Sequence, residues 1–202
     1  MRLLLFSDLH RDTAAARRLV ELSADVDVVI GAGDFANVRQ GISTCIEILR
    51  GIQKPTVLVA GNNESYEELV GACAGWSAAA VLHGKAIEIS GVPFFGIGGG
   101  IPVTPFGDWS WDFSEEDARR LLAACLPKAV LVSHSPPKGA VDRSSSGQSL
   151  GSIAVREAVI RLEPRLVVCG HIHASAGNRE MLGKTPVINA GPEGVVYDLA
   201  KT

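Results

Sequence analysis

The sequence predicts an α/β fold, and three observations carry that prediction. Strand-like apolar runs alternate with helix-like segments along most of the chain. Five polar clusters each follow directly on a stretch of four to six residues rich in Leu, Val and Ile. They are Ser7-Asp8-Leu9-His10, Gly33-Asp34, Gly61-Asn62-Asn63-Glu64, Ser133-His134-Ser135-Pro136 and Gly170-His171-Ile172-His173. Of only five histidines in the chain, four fall inside these clusters. Open α/β sheets place ligands beyond the carboxyl ends of their strands, which is where such clusters would lie.

The elements follow in order. Arg2 to Phe6 reads as a strand; a signal peptide would need a longer apolar stretch than one that runs into Asp8 and His10. Thr13 to Leu22 has Ala, Leu and Val at helical spacing, with paired arginines outward. Val26 to Ile30 is a buried strand whose Gly-Ala-Gly turn presents Asp34. A helix is predicted from about Val38 to Arg50, stopped by Gly51 and Pro55. Thr56 to Ala60 is the next strand, and Ser65 to Ala74 the next helix, with Glu67 and Glu68 where the helix dipole favours acids. Glu64 reads as the start of that helix.

Val81-Leu82, Ala86 to Ile89 and Pro93 to Ile97 are short strands with tight turns, which predicts an antiparallel stretch and puts His83 in a surface turn. Gly98-Gly99-Gly100 lacks the lysine of a phosphate-binding loop and reads as a flexible turn. A long loop follows through Trp109 and Trp111, read as packing on the core, with stacking on an aromatic ligand as the alternative. Ser114 caps a helix with acids in its first turn. Then come a strand at Ala129 to Val132, a Ser- and Gly-rich loop from Pro136 to Leu150, a helix from Ser152 to Leu162 and a strand at Leu166 to Cys169. Val187 to Asn189 and Val195 to Asp198 read as a hairpin-like pair. With no repeat, low-complexity tract or linker in 202 residues, a single domain over 1–202 is expected.

Composition narrows the function classes. A net charge of −3 gives no reason to expect a nucleic-acid surface, and no apolar run reaches the length of a membrane span. The four cysteines have no CxxC spacing, so neither a zinc finger nor a disulfide framework is indicated, and a cytoplasmic setting is the expectation.

The chemistry lies in the clusters. Asp8, His10, Asp34, His134, His171 and His173 offer carboxylate oxygens and imidazole nitrogens, and Asn62 adds an amide oxygen. That set suits manganese, iron, zinc or nickel and is too nitrogen-rich for calcium. Seven donors exceed what one tetrahedral ion needs, whereas two ions bridged by one carboxylate would use them all. Paired ions about 3.5–4 Å apart are a common device for hydrolysing phosphate esters.

The ordered series Asp8-x-His10, Gly33-Asp34, Gly61-Asn62, His134 and Gly170-His171-x-His173 resembles the calcineurin-like metallophosphoesterase superfamily over nearly the whole chain. The resemblance implies a four-layer α-β-β-α sandwich of two mixed sheets. It implies that Asp8, His10 and His173 hold one metal, that Asn62, His134 and His171 hold the other, and that Asp34 bridges them. It implies two divalent ions, manganese first, and a small phosphodiester or phosphomonoester attacked by a hydroxide held between the ions. Ser133 to Pro137 and Thr104 to Gly107 look closest to the small bacterial and archaeal members. The chain departs from many relatives at Asn63, where they carry a histidine that binds the phosphate and protonates the leaving oxygen. An amide can donate a hydrogen bond there but supplies no proton near neutral pH. Phe35-Ala36-Asn37 lacks the acid and arginine of the protein phosphatase branch. A metal-binding scaffold of the same fold with little catalysis is the alternative that Asn63 motivates, and a homo-oligomer stays open.

Overall fold

Among residues 1–200, which a computed structural model of the chain describes, eleven strands form two mixed sheets. The first holds β1 (Arg2–Phe6), β2 (Val28–Gly31), β3 (Thr56–Leu58), β4 (Ala79–Val81) and β11 (Val195–Asp198), in the order β11-β1-β2-β3-β4. The second holds β5 (Lys85–Ile89), β6 (Val92–Ile97), β7 (Val130–Ser133), β8 (Leu166–Cys169), β9 (Arg179–Leu182) and β10 (Thr185–Asn189), in the order β5-β6-β7-β8-β10-β9. β1 to β4 pair in parallel, as do β6, β7, β8 and β10; β11, β5 and β9 are antiparallel edges. Parallel pairing aligns the carboxyl ends, so the segments after β1, β2, β3, β7 and β8 emerge on one side of the sheets.

The continuous apolar runs explain the layering, since a strand buried on both faces cannot alternate polar and apolar residues. In β1, Leu3 and Leu5 face the second sheet and pack in a core with Val130, Val132, Leu166 and Val168. Leu4 and Phe6 face outward onto α1 (Thr13–Leu22) and α2 (Ile42–Leu49), through Ala16, Leu19, Ile46 and Leu49. α3 (Tyr66–Ala72) lies on the same side, its Leu69 in that core. On the far side, Leu131 and Val167 bury against α4 (Glu115–Leu122) and α5 (Ile153–Leu162). The result is the expected four-layer sandwich. Helix starts are fixed by side-chain caps at Asp12, Ser65, Ser114 and Ser152, each contributing about 1 kcal/mol. Glu115 also accepts from the backbone N–H groups of Ile153 and Ala154, tying α4 to the start of α5.

Four expectations are corrected. α2 starts at Ile42 rather than Val38, because Val38, Arg39 and Gly41 have positive φ and form a tight loop instead of a helical turn. The hairpin of the middle region is β5–β6 alone, since β4 joins β3 in parallel in the first sheet. β10 and β11 do not pair with each other: β10 lies between β8 and β9, while β11 crosses to the edge of the first sheet against β1. β9 escaped sequence reading because its first three residues are exposed on an edge and carry no apolar run. His83 is half-buried, not a surface residue: its ring packs against Trp111 and Phe113, and its Nδ1 accepts from the Gly98 N–H. All four cysteines are buried and unpaired. Among the described residues no helix is long and apolar enough to cross a membrane.

Candidate metal centre

All seven sequence-selected donors converge at the carboxyl ends of the strands. Asp8, His10, Asp34 and His173 bring one donor atom each within 4.8 Å of one another, and Asp34, His134 and His171 do the same. Asp34 belongs to both groups, and its two oxygens divide between them. Its Oδ2 lies 3.6 Å from His10 Nε2, and its Oδ1 lies 3.5 Å from His134 Nε2. Asn62 Oδ1 joins the second group, 3.2 Å from His134 Nε2 and 3.1 Å from His171 Nδ1. In the first group His10 Nε2 and His173 Nε2 are 3.0 Å apart, and His173 Nε2 is 3.8 Å from Asp8 Oδ1.

Local backbone geometry makes this convergence possible. Asp8, His10, Asp34 and His171 all have φ between 44° and 68°, a left-handed conformation that non-glycine residues seldom adopt and that is concentrated at functional sites. It turns each side chain inward just beyond its strand. The glycine before a donor allows close approach: a Cβ on Gly61 would sit 1.9 Å from Asp34 Oδ1, and one on Gly170 would sit 2.5 Å from Asp8 Oδ2. The Gly98–Gly100 segment is a tightly packed turn rather than a flexible one, with Ala60 O only 2.5 Å from where a Gly98 Cβ would be.

Hydrogen bonds around the centre orient the donors. His10 Nδ1 donates to Ala36 O (3.2 Å) and His134 Nδ1 donates to Ala32 O (2.7 Å). A carbonyl can only accept, so in the neutral rings the Nε2 lone pairs face the cluster. Asn62 Nδ2 donates to Ser110 Oγ at 2.9 Å, which turns its oxygen toward the histidines. Ser7 Oγ donates to Asp8 Oδ2 at 2.6 Å.

Three supporting residues lie outside the expected set or its expected roles. Glu64 is fully buried and does not begin α3: its carboxylate accepts from the N–H groups of Asp34, Ala36 and Gly61 and clamps the Asp34 loop. Asn189 donates through Nδ2 to Gly170 O and Ile172 O, holding the His171–His173 segment. It follows a strand run as the other clusters do, and that position was its available signal. Asn63 serves Asp34: its N–H donates to Oδ1 (2.9 Å), its Nδ2 donates to Oδ2 (2.7 Å), and its Oδ1 accepts from the Val38 N–H.

The donor chemistry fits divalent ions. Two donors each about 2.1 Å from one ion sit roughly 3.0–3.4 Å apart, close to most separations in the cluster. Burial holds the pKa of His134 low, and burial with the neighbouring His134 pushes His171 down to about 3, so both rings are neutral and ready to ligate. Burial and the nearby Asp8 charge push Asp34 up to about 8, while burial and the Asp34 charge push Glu64 to about 8. The charge of a cation in the cluster would oppose the Asp34 shift.

This predicts a pH dependence. From about pH 6.5 upward both histidines are neutral in the folded protein, and the unfolded ones, half protonated at about pH 6.5, lose the rest within about one unit. This is outweighed by the folded Asp34–Glu64 pair, which burial keeps partly protonated where the unfolded carboxyls have lost their protons. Stability of the metal-free protein therefore falls as pH rises from 6.5 through about 8. Melting curves with chelator should show a lower Tm at pH 8.5 than at pH 6.5, and saturating manganese should remove most of the difference. A Tm independent of pH and metal would contradict this balance.

The centre forms part of the floor of a cavity of about 780 Å³, which His10, Asp34, Asn62, Asn63, His171 and His173 line. His173 is the most open donor, its side chain 63% exposed.

Comparison with known proteins bears on the family and the fold. The family model for calcineurin-like phosphoesterases matches residues 1–175. A UPF0046 protein of Caenorhabditis elegans is 32% identical over 106 residues, covering 50% of this chain and 26% of that protein. The match thus spans about a quarter of the length of that curated relative. Among solved structures, TT1561 of Thermus thermophilus superposes with a TM-score of 0.77 at 20% identity, covering 95% of this chain and 90% of that one. A dimetal phosphatase from Danio rerio gives 0.60 at 16% identity, covering 95% and 88%. At such identities these structures speak for the fold alone.

Proposed function

The chain belongs to the calcineurin-like phosphoesterase family, and from that premise we propose that it hydrolyses a small phosphate ester, a diester or a monoester, with two divalent ions. Asp8, His10 and His173 would hold one ion, Asn62, His134 and His171 the other, with Asp34 shared and manganese the first metal to test. The observation that carries this reading is the division of the Asp34 oxygens between two donor groups. Bound there, the ions would supply a water activated at neutral pH and neutralise charge on the phosphoryl oxygens. We take 1–202 as one catalytic domain, supported by a core that both sheets share.

The chain's own groups do the positioning. The carbonyls of Ala32 and Ala36 lock two imidazoles in the ligating tautomer. Asn63 orients Asp34 with one Nδ2 hydrogen, and its second amide hydrogen is available to a phosphate oxygen at the cavity floor. It supplies no proton, so the leaving oxygen departs with help from water. Aryl esters, whose leaving groups are stable anions, are accordingly the best probes.

Metal-loaded protein should hydrolyse bis(4-nitrophenyl) phosphate, lose that activity on chelation and regain it with manganese. Inertness across monoester and diester panels would overturn the proposal. Asn63→His should raise the ratio of alkyl-ester to aryl-ester turnover by at least about tenfold, since positioned general acids contribute about 10²–10⁴-fold. The ratio is the right readout because any loosening of Asp34 slows both substrates alike. An unchanged ratio would refute the proton-donor argument and leave the metal reading standing.

A further inference from the structure

The cavity above the metal centre is far larger than a phosphate group and lies in the range that encloses a whole drug-sized ligand. Its wall is built mainly from Pro102, Val103, Phe106, Trp109, Leu150 and Ile172. Exposed large apolar side chains scattered singly carry no message, but here they gather. Val38, Val103, Phe106 and Leu150 are 45%, 63%, 51% and 44% exposed, and all four line this one cavity. Phe106 and Trp109 stack nearly parallel, with ring centroids 5.6 Å apart. The polar groups away from the centre are neutral: Asn37, Thr104, Ser144, Ser145 and Gln148. Among the described residues no lysine or arginine lines the cavity.

From this composition we infer that the substrate is a phosphate ester of an uncharged, predominantly apolar alcohol, whose aliphatic or aryl arm lies along Val103, Phe106, Trp109 and Leu150. The inference rests on the phosphoesterase reading for the phosphate end and adds the class of the organic arm. A second phosphate or a carboxylate on the arm would enter the apolar end without a cation to pair with, and burying such a charge is costly. A nucleoside would bring many polar edges to a wall with few partners. An alkyl or aryl arm loses only water contact, at a gain of about 0.8 kcal/mol per buried methylene, roughly fourfold in affinity.

The test is a binding series with a readout apart from turnover. Methyl-, butyl-, hexyl- and octylphosphonate, with uridine 5′-monophosphate and 1,4-butanediyl bisphosphonate, would be titrated into the manganese-loaded protein while tryptophan fluorescence is followed. The expected result is a Kd that falls about two- to fourfold per added methylene across the alkyl series, with octylphosphonate ahead of the nucleotide and the bisphosphonate. Phe106→Ser and Val103→Ser, both at exposed positions that do not support the core, should flatten the chain-length dependence. A Kd independent of chain length, or tighter binding of the nucleotide or bisphosphonate, would overturn the inference. The phosphoesterase reading is judged separately by hydrolysis of methyl 4-nitrophenyl phosphate at saturating concentration, a readout of bond cleavage that does not depend on how tightly the arm binds. A chain-length dependence without that hydrolysis would support the arm and reject the phosphoesterase.

Discussion

Asp34→Ala will lower turnover of alkyl and aryl esters alike by at least about 10³-fold, because the loss of several kcal/mol of transition-state charge stabilisation translates into that range. Asp34 is the one side chain common to both donor groups, with its Oδ2 facing His10 and its Oδ1 facing His134. Its removal should therefore cost both ions, and metal analysis of the purified variant should find neither. His173→Ala is the informative contrast. That histidine belongs to one group only and is largely exposed, so excess manganese should restore much of its activity. Circular dichroism would check that both variants keep the fold. Full metal content in Asp34→Ala, or more than about a tenth of the original activity, would remove Asp34 from the shared position.

Glu64→Ala will destabilise the protein by at least about 3 kcal/mol, although Glu64 touches neither substrate nor any side chain of the donor set. Three backbone N–H groups, from Asp34, Ala36 and Gly61, end on its buried carboxylate. Each buried donor left without a partner costs roughly 1–3 kcal/mol, and loss of the repulsion between Glu64 and Asp34 offsets only part of it. In a chain of this size such a loss lowers Tm by about 6–12 °C. Glu64→Gln should fall between wild type and Ala, because one amide oxygen still accepts while the amide nitrogen faces an N–H. Metal affinity should drop about 10–100-fold, as when supporting partners of ligands are removed. Thermal melting and metal titration check the order; a fully stable Glu64→Ala would show that water or rearrangement satisfies these donors.

The sequence revealed what depends on local pattern. Runs such as Leu3-Leu4-Leu5-Phe6 are apolar at every position because both faces of β1 are buried, and the polar residue that ends each run is then conspicuous. Asp8, His10, Asp34, Asn62, His134, His171 and His173 were readable for that reason. Long-range contacts were not. Glu64 stands just before a helix start and looks like a first-turn acid; only the approach of a loop thirty residues away in sequence makes it a clamp. Asn63 reads as a phosphate-binding residue, and folding adds its two hydrogen bonds to Asp34. The start of α2 was misplaced because Val38 and Arg39 carry no visible sign of positive φ, a conformation set by the hydrogen bonds that Asn63 makes to their backbone. The partners of β10 and β11 were misjudged because pairing across two sheets leaves no mark in a strand's own residues.

The measurement that bears most directly on the two-ion reading is anomalous diffraction from crystals of the protein soaked in manganese. Two anomalous peaks about 3.5–4 Å apart on either side of the Asp34 carboxylate are predicted, one beside Asp8, His10 and His173 and the other beside Asn62, His134 and His171. A single peak confined to one donor group at saturating manganese, or ions bound away from Asp34, would contradict it.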